Sequence, residues 1–133
     1  MANLDVLEAA FDGTAKGDGR AFVAMMSDNV RWHIIGSTSW SRSFEGKASV
    51  VNDLLRPLAA QFDGPNIVTA SRYIGDGPVI AVEGQNHSLT KEGERYPNRY
   101  CWVFTFEGGN VVDIVEYCDT ALIERVLSPL KNI

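Results

Sequence analysis

Residues 94–127, ERYPNRYCWVFTFEGGNVVDIVEYCDTALIERVL, constrain the fold more than any other part of the chain. They read as two long strands joined at Gly108-Gly109, followed by a short helix. Tight hairpin turns need positive φ, which glycine adopts without steric cost. Asn98, Tyr100, Trp102, Phe104 and Phe106 recur with period two, so they share one face of the first strand. Val112, Ile114 and Glu116 are expected to share a face of the second. A face that passes from Phe and Ile to Asn, Tyr and Glu describes a core that opens into a polar-ended pocket.

The preceding chain supplies helices and further strands. A first helix is expected after Asn3 as N-cap, with Leu4, Leu7, Ala10 and Phe11 on its apolar side. A short helix around Phe22, a turn at Ser27-Asp28-Asn29 and a strand from Val30 to Ile35 follow. A third helix should start near Lys47, with a kink or break at Pro57, which lacks a donor and crowds the preceding turn. Residues 67–74 and 79–89 read as two strands around Gly75-Asp76-Gly77-Pro78. Segregated helices and a run of long strands indicate α+β, with a curved antiparallel sheet and helices packed on its concave face. A length of 133 residues fits one domain, 1–133, with a real core.

Composition narrows the partners. The formal net charge is −5, with no basic patch, which argues against nucleic acid. No run of about 18 apolar residues is present, so no membrane span is expected. The N-terminus MANLDVLEAAFDG has no basic n-region, and a cytoplasmic location is the expectation. Cys101 and Cys118 are then expected to be reduced. His33 and His87 form no metal motif, and the glycine pairs lie in hairpins rather than before helices. No metal and no cofactor are expected.

Three stretches carry a family resemblance: AKGDGRAFVAMMSDNVRWHIIGS, SFEGKASV and YPNRYCWVFTFEGGNVVDIVEYCDT. Together they resemble the nuclear transport factor 2-like superfamily, in its SnoaL-like branch, which includes relatives of ketosteroid isomerase and limonene epoxide hydrolase. The spacing Tyr96-x-Asn98-x-Tyr100, Phe104-x-Phe106, Gly109 and Glu116-Tyr117-x-Asp119 is its most specific part. The resemblance implies a cone-shaped α+β fold, a deep apolar pocket between sheet and helices, and a homodimer through the sheet's outer face. Its members include isomerases, cyclases, hydrolases and binding modules, among which fold does not decide.

Glu116 is the leading catalytic candidate. Apolar neighbours on its face imply burial, and burial raises a carboxyl's pKa towards the range of a general base or acid. Glu116 faces inward only if the hairpin carries a bulge; otherwise it is a solvated strand residue. Glu83 is a second candidate, as a carboxylate pair with Glu116 or as a partly exposed residue paired with Arg95 or Arg99 across the strand. By resemblance, the epoxide hydrolases carry Arg and Asp where this chain has Glu83 and Gln85, so epoxide hydrolysis is not expected. Asp119 is a third and weaker candidate: by resemblance the polyketide cyclase branch has a catalytic Asp at or near this position, while a helix N-cap explains it well. Trp32, Gln85, Asn98, Tyr100 and Trp102 are the expected pocket wall, with plain core packing as the alternative for the tryptophans. The expected ligand is a small apolar or carbonyl-containing molecule. Isomerase-like or cyclase-like proton transfer and non-catalytic binding both remain open.

Overall fold

The computed structural model describes residues 2–131; Met1, Asn132 and Ile133, the ends of the expected domain, lie outside the described residues. Helices α1 (Asn3–Thr14) and α2 (Arg20–Ala24) come first, then strands β1 (Met26–Ile34) and β2 (Ser43–Glu45). A helical run follows as α3 (Lys47–Ser49), a π-helical segment (Val50–Leu55) and α4 (Arg56–Ala59). Strands β3 (Val68–Ile74), β4 (Val79–Asn86), β5 (Ser88–Leu89), β6 (Arg95–Tyr96), β7 (Arg99–Glu107) and β8 (Asn110–Cys118) precede the last helix, α5 (Thr120–Val126). Six strands form one curved sheet in the order β2-β1-β8-β7-β4-β3, and β5 pairs with β6. The expected α+β class stands, with one refinement: β1 runs parallel to β8, so the sheet is mixed.

One sheet face carries the core. Ile80 and Val82 of β4, Trp102, Phe104 and Phe106 of β7, and Val111 and Ile114 of β8 are all buried. Alternation makes this a single face, and the helices cover it. Leu7, Ala10 and Phe11 of α1 are buried there at helical spacing. The Phe11 ring lies 5.2 Å from that of Trp102 and 6.1 Å from that of Phe104. Phe22 of α2 reaches Trp32 of β1 at 5.7 Å. No helix among the described residues is long and apolar enough to cross a membrane.

The β7–β8 hairpin turns through Gly108 and Gly109, with φ of 59° and 83°. Both central residues of this turn need positive φ, the requirement that glycine meets. One step along β7, Thr105 to Phe106, faces two steps along β8, Asp113 to Val111. Val112 is therefore the extra residue of a bulge. The inward set on β8 is Val111, Ile114 and Glu116, not the expected Val112, Ile114 and Glu116.

Several local expectations change. Asn3 does not cap α1: Ala2 holds the cap position, and the Asn3 amide donates to the Gly77 carbonyl instead. The expected turn at Ser27-Asp28-Asn29 lies within β1. The strand is irregular there: β1 takes five steps from Met26 to Arg31 against two steps along β8, Val111 to Asp113, and Asp28 and Asn29 are exposed. Pro57 does not break its helix. The turn before it widens into the π-helical segment, which accommodates the missing donor. The expected strand 79–89 is split into β4 and β5, where the Asn86 side chain accepts from the Ser88 N–H.

Candidate functional site

Helices and sheet enclose a cavity of about 690 Å³. Its walls are mainly apolar: Phe11 and Phe22 from the first helices, Leu54, Leu55 and Leu58 from the middle helical run, Ile123 and Leu127 around α5. Gly19, Arg20, Ala24, Ala59 and Pro65 line it and are exposed, so they form its mouth. At the sheet stand Trp32 and Ile34 of β1, Tyr100 and Trp102 of β7, Tyr96 of β6, and Glu116 of β8. Glu116 is the one carboxylate side chain in this wall.

Glu116 is brought here by register. Its cross-strand neighbour is Trp102 on β7, and its neighbour on the other side is Ile34 of β1. Only 8% of the residue is exposed. The Trp102 Nε1–H donates to Glu116 Oε1 at 3.0 Å. No salt bridge reaches Glu116 among the described residues. Burial pushes its carboxyl pKa up, because the charged form loses water without gaining a cation. The Trp102 indole, the Cys118 thiol and the Trp32 indole each offset part of that rise. Trp32 Nε1 nevertheless makes no hydrogen bond of its own. Trp32 and Glu116 both line the cavity, from the neighbouring strands β1 and β8.

The phenols belong to the same end of the cavity. Tyr100 stacks on Trp102, ring centroids 4.6 Å apart and 17° from parallel. Its hydroxyl accepts from Asn86 Nδ2 at 3.3 Å, and Asn86 Nδ2 also donates to Asn66 Oδ1 at 2.9 Å. The Tyr96 hydroxyl accepts from Asn98 Nδ2 at 2.8 Å. Burial raises the pKa of both phenols, so they stay protonated and can act only as neutral donors or acceptors.

The expected site residues divide. Glu116, Trp32, Tyr100 and Trp102 stand together at the cavity. Asn98 is fully buried but lies behind the wall: its Oδ1 accepts from the Asp119 N–H at 3.0 Å while its amide holds Tyr96. Asp119 caps α5, its Oδ1 accepting from the Leu122 N–H at 3.3 Å, and it is not part of the cavity. Glu83 and Gln85 do not line the cavity either. They share a face as alternation requires, but Ile80, Val82 and Gly84 hold the inner one. Glu83 pairs with Arg72 at 2.8 Å on the outer face, rather than with the expected Arg95 or Arg99, so no Glu83–Glu116 carboxylate pair forms. His33 bonds Ser43, and His87 bonds Thr69, both at 2.8 Å. Both cysteines are free. Among the described residues, no three His, Cys, Asp or Glu side chains gather as a metal site.

Sequence reasoning missed Tyr96 as a wall residue, although it has the parity of Asn98 and Tyr100. It also missed Trp40, whose Nε1–H donates to the Ser128 carbonyl at 2.9 Å and ties the C-terminal segment over the cavity wall. No local pattern marks that long-range contact.

The architecture recurs in solved structures. An NTF2-like protein from Burkholderia thailandensis E264 superposes with a TM-score of 0.82 at 15% identity, over 97% of this chain and 99% of that one. TerC, co-crystallized with polyporic acid, gives 0.78 at 16% identity, over 93% and 96% of the two chains. A protein from Jannaschia sp. CCS1, provisionally described as a SnoaL-like polyketide cyclase, gives 0.75 at 12% identity, over 95% and 91%. At these identities the likeness is one of fold. No curated protein matches the chain by sequence. The model of the SnoaL-like domain matches residues 7–114, most of the length, and the chain belongs to that family.

Proposed function

We propose that the chain binds a flat, mainly apolar molecule with a carbonyl oxygen, and that Glu116 moves a proton on it. The observation that carries this reading is a buried carboxyl with no cation partner, on the wall of an apolar cavity. A raised pKa lets such a group take a carbon-bound proton and return it near neutral pH. Tyr96 and Tyr100 stand on the same wall as neutral phenols suited to an oxygen that gains negative charge. Isomerase-like or cyclase-like chemistry follows from these parts. The neighbours described as a cyclase and as TerC with polyporic acid support the same choice of ligand class.

The test uses 2-tetralone, a bicyclic ketone with acidic α-hydrogens, in deuterated buffer. The protein should accelerate α-deuterium uptake read by NMR. Glu116→Gln should reduce that acceleration about a hundredfold. Equal exchange by the variant, or none by either protein, defeats the catalytic reading. Binding of 2-tetralone by both proteins without exchange would select the second reading, a receptor that uses the cavity alone. That reading draws on the wall's single carboxylate, since Glu83 contributes no second one.

A homodimer through the outer sheet face is part of the proposal. Val79 and Tyr117 are 52% and 47% exposed on the sheet, and a second copy seated on that face would cover them. Light scattering should give twice the monomer mass at micromolar concentration; a monomer would exclude it.

A further inference from the structure

The chain has three tryptophans, and all three line the cavity. Two of their indole N–H groups are committed: Trp40 to the Ser128 carbonyl, Trp102 to Glu116. Trp32 Nε1 is the one buried side-chain N or O atom without a hydrogen-bond partner among the described residues. An orphaned buried donor is costly, and it calls for an explanation.

The sheet offers one. Glu116 is on β8, which lies between β7 and β1. Trp102 is directly opposite it on β7. On β1, Ile34 is level with Glu116, and Trp32 is two residues back with the same inward parity. An indole from each neighbouring strand therefore flanks the carboxylate. Trp102 is bonded to one carboxylate oxygen, and the Trp32 N–H has no partner.

We propose that Trp32 is a positioning residue held in reserve: its N–H closes onto the Glu116 carboxylate when the proton leaves, and lets go when the proton returns. Glu116 would then exchange one hydrogen bond for another in each half of a proton-transfer cycle. A protonated carboxyl has one strong acceptor oxygen, which Trp102 occupies. The ionised group has acceptor capacity on both oxygens, and the second indole satisfies it without any cation. The contribution of Trp32 to the charged form of Glu116 has the sign this requires. The wall holds few competing groups. The titratable side chains facing Glu116 are Tyr96 from β6, Tyr100 from β7 and Cys118 from β8, all with pKa values raised by burial. From β1 come only Trp32 and Ile34, and α1, α5 and the middle helical run contribute apolar or neutral residues. Arg20 of α2 is at the mouth, paired with Asp18 at 2.7 Å.

This inference rests on Glu116 being the proton carrier of the cavity, but its test needs no substrate. Protein labelled with ¹⁵N at tryptophan gives one indole N–H signal per tryptophan, assigned by substitution. Across a pH titration, the Trp32 signal should move downfield as Glu116 ionises, in step with the carboxyl signal of ¹³C-labelled Glu116. In Glu116→Gln, the Trp32 signal should be flat with pH. In Trp32→Phe, the Glu116 midpoint should rise, because the charged form loses a donor. A Trp32 signal that ignores the Glu116 titration overturns the proposal, as does an unshifted midpoint in Trp32→Phe. If Trp32→Phe fails to fold, the wild-type and Glu116→Gln titrations still decide. Failed deuterium exchange with normal coupling of the two signals would refute catalysis and leave the indole switch standing.

Discussion

Glu83 and Glu116 are on the same sheet, two strands apart, and live in different chemistry. Glu116 faces the helices, with an indole N–H for company and no cation. Glu83 faces outward with its side chain 41% exposed, and Arg72 sits 2.8 Å away. Neither residue type nor strand membership separates them. Parity along the strand does, since a shift of one residue exchanges the two faces. On β4 the pattern is regular, and Ile80, Val82 and Gly84 take the inner positions, leaving Glu83 outside. On β8 the bulge at Val112 lets Val111, Ile114 and Glu116 all face inward. A function for Glu116 thus depends on a backbone irregularity four residues away.

The sharpest way to break the contrast is to change parity itself. Deleting Val115 places Ile114 and Glu116 on opposite faces. It would either expel Glu116 and orphan the Trp102 N–H, or expel Ile114, which is fully buried. Loss of about 3 kcal/mol or more is expected from these costs together. Deleting Val112 instead regularises the strand and keeps the inward set, so urea denaturation should show a much smaller loss. Equal losses in the two deletions would mean that the bulge does not set the register.

A smaller effect is expected at Gly84. A Cβ there would come within 2.5 Å of the Thr69 carbonyl oxygen and 2.8 Å of the Trp102 ring. The backbone oxygen cannot step aside cheaply, and Trp102 is backed by the stacked Tyr100. Gly84→Ala should cost about 1–3 kcal/mol in urea denaturation, as overpacked sites do. Trp102 fluorescence should change with it. An unperturbed variant would show that Trp102, and so the Glu116 contact, is looser than its packing suggests.

These positions also show what the sequence made legible. The Gly108-Gly109 turn, the period-two aromatics of β7 and the helical spacing of Leu7, Ala10 and Phe11 are local signals, and the fold follows them. Which face of β4 is inner was not local. Glu83, Gln85 and His87 were correctly grouped by alternation, yet the apolar Ile80 and Val82 and the close-packed Gly84 decide the face. The bulge at Val112 was required for Glu116 to face inward, but no residue type marks its position. The roles of Asn98 and Asp119 rest on bonds between the residue before β7 and the residue that caps α5, which no spacing shows.

Replacing the inner glutamate should act gently on stability, with a sign set by pH. The folded-state pKa of Glu116 is raised above the ordinary 4.5. Below that ordinary value the carboxyl is neutral in both states, and wild type and Glu116→Gln should match closely. Between that value and the folded pKa the unfolded chain has released its proton while the native protein still holds it, so wild type loses stability as pH rises across that interval. The variant has no proton to lose. Its advantage in urea denaturation should grow from about the ordinary carboxylate pKa and level off once Glu116 is ionised. A variant less stable at neutral pH would mean that the charge of Glu116 is held by a partner and contributes to folding.

The smallest effect is expected at Glu83, and it is the control for all the others. Its pair with Arg72 is held by a single 2.8 Å contact between side chains 41% and 65% exposed. Water competes for both groups, salt screens them, and ordering two long side chains offsets what attraction remains. Glu83→Gln should leave the urea midpoint unchanged within error and should not alter deuterium exchange of 2-tetralone. Its effect and that of Glu116→Gln should add in the double variant, because the two residues lie on opposite faces and share no partner. Non-additive stabilities, or a Glu83→Gln protein with altered exchange, would show that the outer face communicates with the cavity. Tyr100 and Cys118 would be the first route to test, since both line the small outer hollow beside Glu83 and both face Glu116.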